Sequence, residues 1–155
     1  MKTTTGYSGL QIALHWLIAV LILAAWLTGE GAEEAMEAVE EGGAAVTVPH
    51  MFIGLAILAL VAVRILARLG RGAPKAPGSG LSVVLAEWGH RVIYLLMLAV
   101  PLGGIATWYL GLDLGDLHGL AANVLLIIAL AHAGVALFHQ YVLKDGLLRR
   151  MMRPE

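Results

Sequence analysis

The chain has 155 residues, of which 59% are hydrophobic and 14% are charged, with a formal net charge of −1 and a mean hydropathy of +0.82. A soluble domain of this length carries more charge, so these values exclude an ordinary soluble protein and predict a membrane protein. The near-neutral charge gives no basis for nucleic-acid binding. The sequence contains no cysteine, which excludes iron–sulfur clusters, disulfides and covalently attached c-type haem.

Four long apolar segments account for most of the chain. They predict helices over about 10–29, 49–70, 82–110 and 116–143. Each is long enough to cross a hydrocarbon core of about 30 Å. The first segment contains His15 and Trp16 and is too long for a signal peptide, so we expect it to be a retained helix. The predicted fold is all-α: a four-helix transmembrane bundle that forms a single domain over residues 1–155.

The basic residues predict the topology. All ten lie before the first span, around the second connection or after the fourth span. Because Lys and Arg concentrate on the cytoplasmic side, both termini are expected in the cytoplasm, with the protein in the bacterial inner membrane. The first connection, expected in the periplasm, has no basic residue and contains Glu30, Glu33, Glu34, Glu37, Glu40 and Glu41.

The acidic stretch 30–41 leaves two structures open. Its Ala, Glu and Met residues favour a short helix outside the membrane, whereas its charge suits a solvated loop. A loop or frayed helix is the favoured interpretation.

Histidines inside the apolar segments are the main functional signal. His118 and His132 are fourteen residues apart, so they leave one helix face about 21 Å apart along the axis. His15 and His132 lie on antiparallel helices at the same depth in the cytoplasmic half of the membrane. His50 and His118 likewise share a depth near the outer surface, so depth predicts these two pairs. Imidazole is the usual protein ligand of haem iron, and a histidine in hydrocarbon needs a partner. The four histidines therefore predict two haems, each held between two helices.

Alternative roles remain open for four of the histidines. His50 and His118 begin their segments and, taken singly, could be interfacial polar residues; their matched depth argues against this. His90 and His139, close to the cytoplasmic surface, could be wet interfacial residues. They could instead replace a ligand of the inner pair. A third interpretation makes them candidate catalytic residues, as proton relays or hydrogen-bond partners of a quinone, because imidazole exchanges protons near neutral pH.

Arg64 is a candidate cofactor-binding residue. It follows His50 by fourteen residues, which places it on the inward face at the depth of the inner haem. There it could pair with haem propionates. The alternative is that Arg64 extends to the lipid headgroups as a positive-inside residue.

Three segments resemble the bacterial cytochrome b561 family. They are LQIALHW (residues 10–16), HRVIYLL (90–96) and AHAGVALFHQYVLKDGLLRRM (131–151), and the similarity extends over essentially the whole chain. The resemblance implies a four-helix cytochrome with two b haems that exchanges electrons with ubiquinone. It also implies His15 and His132 as inner ligands and His50 and His118 as outer ligands, in agreement with the depth argument.

The resemblance implies several possible reactions. One class in the family oxidises superoxide at the outer haem and reduces ubiquinone, and this is the leading hypothesis. Other members pass electrons to or from periplasmic haem proteins, or anchor dehydrogenases. A surface that attracts superoxide should be positively charged, whereas the first connection is acidic. The same acidity suits docking of a basic periplasmic redox protein equally well. A metal transporter is the weakest hypothesis, because the spans contain no thiol and carboxylates are absent from their centres.

Overall fold

The computed structural model describes residues 6–44, 46–74 and 79–154, and within them the regular structure is helical. Five α-helices are present: α1 (Gly9–Leu27), α2 (Gly29–Glu40), α3 (Pro49–Arg71), α4 (Leu81–Leu110) and α5 (Gly115–Phe138). A π-helical turn (His139–Leu143) extends α5, and a short 3-10 helix (Leu148–Met151) follows. α1, α3, α4 and the extended α5 are long and apolar enough to cross a membrane. The predicted all-α fold with four spans is confirmed.

The four spanning helices form a closed ring. α1 packs against α3, α3 against α4, α4 against α5, and α5 against α1. The ring encloses a small apolar core at mid-height, with at least one residue from each helix: Ile18, Ile57, Val61, Met97 and Leu125. Most other large apolar side chains face outward, as expected of helices whose outer surface meets lipid. α3 and α5 therefore lie diagonally opposite each other across the ring. The apolar core lies midway between the two ends of the bundle.

Both ends of the described chain lie at the same end of the bundle. Ser8 caps α1 reciprocally with Gln11, and the Gln11 side chain donates a 2.9 Å hydrogen bond to the Gly72 carbonyl after α3. The Trp16 indole donates a 2.8 Å hydrogen bond to the Met151 carbonyl. These contacts join the start of α1, the end of α3 and the C-terminal segment. This end is called the inner end below.

The structure corrects the interpretation of the acidic stretch as a loop. Residues Gly29–Glu40 form a continuous helix, α2, that packs against α3 and α1. Ala35 is buried, whereas the six glutamates at positions 30–41 are exposed. One small apolar face can therefore pack on the bundle while every charge stays in water, and such packing stabilises a short helix more than its intrinsic propensity does.

Two predicted helix boundaries also change. α1 ends at Leu27, and the Thr28 hydroxyl donates to the Ala24 carbonyl at 2.9 Å at its C-cap. The last span is not one regular helix to residue 143, since α-helical geometry stops at Phe138. The π-helical turn after it changes the direction in which His139 points relative to a regular helix.

Candidate functional site

The predicted outer pair lies at the end of the bundle opposite the inner end. His50 is near the start of α3 and His118 near the start of α5, and their ring centroids are 5.9 Å apart at an interplanar angle of 84°. His50 Nδ1 lies 2.9 Å from the Ala25 carbonyl, and His118 Nδ1 lies 2.9 Å from the Val100 carbonyl. A carbonyl only accepts, so each Nδ1 carries the hydrogen and each Nε2 keeps a free lone pair. This is the tautomer that a metal-ligating imidazole requires.

The environment of His118 depends on a local feature of α4. Pro101 lies inside α4, and the carbonyl of its neighbour Val100 accepts a hydrogen bond from His118. A Cβ added at Gly104 would lie 3.1 Å from His118 Cε1, whereas one at Gly103 would meet the ring no closer than 3.8 Å. Glycine at position 104 therefore allows the imidazole to approach the backbone of α4. The contact was not predicted from the sequence, although the segment PLGG at residues 101–104 within a span is a recognisable signal.

The predicted inner pair lies near the inner end. The ring centroids of His15 on α1 and His132 on α5 are 6.4 Å apart at an interplanar angle of 82°. Fourteen residues separate His118 from His132, so the two pairs stand about 21 Å apart along α5. Leu125 of the apolar core lies halfway between them. The structure thus brings together both predicted pairs at two separate levels.

His90 also reaches the inner level. Its ring centroid is 5.0 Å from that of His132, closer than the ring of His15, and its Nδ1 is 2.6 Å from the Ala86 carbonyl one turn back. Imidazoles from α1 and α4 therefore both approach His132 on α5. An iron held by two imidazole nitrogens at about 2 Å each needs ring centroids about 6 Å apart. The separation of His15 from His132 fits this requirement, and that of His90 from His132 is about 1 Å short of it.

Arg64 lies beside the inner histidines and is only 9% exposed. Its Nη1 donates to the Gln11 carbonyl at 2.8 Å and its Nε to the Tyr94 hydroxyl at 2.9 Å. The alternative that Arg64 extends to the lipid headgroups is wrong, because its guanidinium group is held inside the bundle.

Arg64 has no carboxylate partner in the described part of the chain, where the ion pairs are Arg91 with Glu87 and His139 with Asp145. A buried cation without a counter-charge is costly, so this position favours an anionic group of a bound cofactor. The fit to a haem propionate rests on this unmatched charge.

His139 lies outside the histidine cluster. Its ring contacts Phe138, and its Nδ1 is 2.5 Å from Asp145 Oδ2. The other Asp145 oxygen accepts from the Leu147 backbone N–H at 3.0 Å. The hydrogen bond from His139 holds the pKa of the Asp145 carboxyl below its usual value of 3.8. The sequence pattern indicates His139 but not Asp145, because the π-helical turn that brings them together has no periodic signature.

Space is open beside the outer pair at Gly54, one turn from His50, where an added Cβ would meet nothing within 4 Å beyond its own helix. Within the described residues no three His, Asp or Glu side chains converge on one metal position. Paired imidazoles suit a metal whose other ligands come from a macrocycle.

Comparison with known proteins identifies the family of the chain. The family profile described as "Prokaryotic cytochrome b561" matches residues 6–154. The chain is 44% identical over 161 residues to cytochrome b562 of Cereibacter sphaeroides, an alignment that covers 99% of both chains. It is 38% identical over 170 residues to the probable superoxide oxidase CybB of Yersinia pestis, covering 94% of this chain and 95% of that one.

A more distant relative is cytochrome b561 homolog 1 of Escherichia coli K12, which is 27% identical over 173 residues and is covered to 96%. No solved structure matches the chain significantly. The profile and the two nearer relatives each cover almost all of the sequence, including the four spanning helices. The chain therefore belongs to the prokaryotic cytochrome b561 family, as a multi-pass inner-membrane protein of haem-based electron transfer.

Proposed function

We propose that the protein holds two b haems, the outer one between His50 and His118 and the inner one between His15 and His132. The ring separations of 5.9 Å and 6.4 Å carry this proposal, because both are close to the spacing of two axial imidazoles on one iron. Haem b supplies a one-electron redox centre at each level. Arg64 would offset the propionate charge of the inner haem, and the Ala25 and Val100 carbonyls would fix the outer imidazoles.

His90 is the rival inner ligand. Its ring is the nearest to His132, but their 5.0 Å separation leaves too little room for an iron between two coordinating nitrogens. In the favoured assignment His90 contacts the inner site without ligating it. The alternative pairs His90 with His132 and leaves His15 as the neighbour.

Haem counting tests these assignments. His118→Ala should lower the haem content from two per chain to one, since the two sites share no ligand. His15→Ala and His132→Ala should remove the inner haem, whereas His90→Ala should leave both. The matched control is His139→Ala, which removes an imidazole near the inner end without touching either pair. Retention of the inner haem in His15→Ala, with its loss in His90→Ala, would establish the rival assignment.

The proposed reaction is transfer of electrons across the membrane from a periplasmic reactant to ubiquinone. The leading reactant is superoxide: two superoxide anions lose one electron each to give two O₂, and one ubiquinone takes two electrons and two protons to give ubiquinol. A relative with 38% identity is named a probable superoxide oxidase, which supports this choice. The inner end, with its basic residues, would face the cytoplasm by the positive-inside rule.

A second candidate is a quinol-fed cytochrome that reduces a docked periplasmic redox protein, and anchoring of a dehydrogenase is a variant of it. The observation that favours docking is α2, whose glutamates are all exposed on one short helix that packs on the bundle. A rigid acidic surface attracts a basic protein and repels an anion such as superoxide.

Charge neutralisation on α2 separates the two candidates. The variant changes Glu33, Glu34, Glu37 and Glu40 to Gln, and stopped-flow mixing measures the rate of haem reduction by superoxide. If superoxide is the substrate, the rate should rise, most clearly at low salt, because repulsion is removed. The control is Glu87→Gln on α4, which neutralises one carboxylate away from α2. Absence of haem reduction by superoxide in both wild type and variant would exclude the superoxide reaction and favour docking.

Proton supply is proposed for His139, together with Asp145. The pair lies at the inner end, with side chains 28% and 35% exposed, where protons for quinone reduction would come from the cytoplasm. The carboxylate orients the imidazole by accepting from Nδ1, which leaves Nε2 free to exchange a proton with water.

A further inference from the structure

A groove on the outer surface of the bundle lies between α3 and α4 near the inner end. It has a volume of about 270 Å³ and is lined by Ile65, Arg68, Leu69 and Tyr94. Ile65 and Leu69 form apolar walls one turn apart on α3, whereas the polar groups are the Arg68 guanidinium and the Tyr94 hydroxyl. Leu69 is 62% exposed, so the groove opens toward the membrane. A matching occupant has a polar end and an apolar part.

The depth of the groove follows from the length of α3. Arg68 lies nineteen residues after Pro49 in this helix, a rise of about 29 Å, which is close to the thickness of a hydrocarbon core. Since α3 begins at Pro49 near one boundary of the core, Arg68 lies near the other boundary. Ile65 lies about one turn closer to the middle of the membrane. The guanidinium is thus at the level of lipid phosphates, and the apolar wall faces acyl chains.

Within the described residues, neither polar group of the groove has an acceptor for its hydrogens. The Tyr94 hydroxyl accepts from Arg64 Nε at 2.9 Å, and no described residue accepts its own hydrogen. The Arg68 guanidinium carbon lies 6.0 Å from the centre of the Tyr94 ring, and the described ion pairs do not include it. Arg68 is half-buried, unlike Arg91, which is exposed. The groove therefore presents two donors and calls for an acceptor from outside the chain.

The groove also carries positive charge. Arg64 bonds to Tyr94 from inside the bundle, and both arginines line one small cavity beside this tyrosine. Even with Arg64 assigned to the inner haem, Arg68 leaves one positive charge unmatched by any carboxylate in the described part of the chain. The planar guanidinium group binds phosphate through two parallel hydrogen bonds. Charge complementarity therefore favours an anion over a neutral occupant.

We propose that this groove binds one anionic phospholipid, such as phosphatidylglycerol, from the leaflet at the inner end. Its phosphate accepts from Arg68 and from the Tyr94 hydroxyl, and an acyl chain packs along Ile65 and Leu69. Basic pockets between spanning helices bind the head groups of anionic lipids. A zwitterionic lipid brings an ammonium group that the arginines repel, and free phosphate leaves the apolar walls uncovered. The inference depends on neither the proposed haem ligands nor the proposed reaction.

Native mass spectrometry of the detergent-purified protein with its haems tests the proposal by titration with dioleoylphosphatidylglycerol. The wild type should bind one molecule more tightly than it binds dioleoylphosphatidylcholine. Arg68→Gln should weaken the Kd about tenfold and Tyr94→Phe about fivefold, because each change removes a donor to the phosphate. Arg68→Lys keeps the charge but not the planar fork, so its Kd should lie between those of wild type and Arg68→Gln. Haem content shows whether each variant is folded.

Two matched controls lie outside the groove. Arg91→Gln removes an arginine one turn from Tyr94 on α4, and Tyr109→Phe removes a hydroxyl at the far end of the same helix. Both should bind phosphatidylglycerol as wild type does. An equal loss in Arg91→Gln and Arg68→Gln would indicate diffuse attraction to the basic end of the bundle, and the proposal would fail.

Other results would also overturn the proposal. An unchanged Kd in both Tyr94→Phe and Arg68→Gln would place the lipid elsewhere on the protein. Equal affinity of the wild type for phosphatidylglycerol and phosphatidylcholine would remove the selectivity for negative charge. Displacement of the lipid by inorganic phosphate would show that the apolar walls contribute nothing. Loss of a neutral co-purified molecule from Arg68→Gln, with phosphatidylglycerol binding unchanged, would identify a different occupant.

Discussion

Gly104→Ala tests the outer site at its tightest contact. The added Cβ would lie 3.1 Å from Cε1 and 3.4 Å from Nδ1 of His118. Ordinary carbon contacts begin near 3.5 Å, so the imidazole must move away from α4 by about 0.4 Å. That movement lengthens the 2.9 Å hydrogen bond from His118 Nδ1 to the Val100 carbonyl. Gly103→Ala makes the same chemical change on the same helix, with its closest contact to the ring at an ordinary 3.8 Å.

Two effects then follow in Gly104→Ala. Crowding in a packed interior costs about 1–3 kcal/mol. Weakening the hydrogen bond that orients a metal-ligating imidazole lowers metal affinity about 10- to 100-fold. A weaker hydrogen bond also makes the imidazole a poorer electron donor to ferric iron, so the midpoint potential of the outer haem should rise. A tenfold change in relative affinity corresponds to about 59 mV for one electron.

The assay combines haem quantification with a spectroscopic redox titration of wild type, Gly104→Ala and Gly103→Ala. We expect Gly104→Ala to lower the occupancy or raise the potential of one haem while the other is unchanged, and Gly103→Ala to resemble wild type. Equal behaviour of the two variants would refute the contact between His118 and α4. A change confined to the inner haem would show that the two pairs have been assigned to the wrong ends.

Further predictions concern the inner end and the topology. Asp145→Asn should lower the midpoint of thermal unfolding at pH 5–7. Because the pKa of Asp145 in the folded state is depressed below its usual value of 3.8, this difference should disappear as the pH falls through 3.8 and then through the depressed pKa. A difference that persists in acid would contradict the pairing with His139. His139→Ala should keep both haems and slow ubiquinone reduction, measured by steady-state turnover, and loss of a haem would make it a ligand. In a chain without cysteine, Glu34→Cys should react with an impermeant thiol reagent from the periplasm and Ser79→Cys should not, whereas the reverse labelling would invert the topology.

The sequence by itself determined the membrane architecture. Bilayer thickness requires about 20 apolar residues per span, and the backbone must satisfy its hydrogen bonds within each span, so four apolar runs lead directly to four helices. The same helical periodicity fixed the two histidine levels, because fourteen residues close nearly four turns on one face. The pairing of His15 with His132 and of His50 with His118 followed from depth alone, and the ring separations agree with it.

Only the tertiary structure decided features that depend on packing between helices. Depth could not separate His15 from His90, because both reach the level of His132; only the structure gives their ring separations from His132, 6.4 Å and 5.0 Å. The acidic stretch forms a helix because Ala35 packs on the bundle. The free energy of that packing cannot be read from local composition. The partners of Arg64 come from other helices, on residues 11 and 94. Such contacts join positions far apart in the chain, so helical periodicity, which relates only near neighbours, carries no information about them.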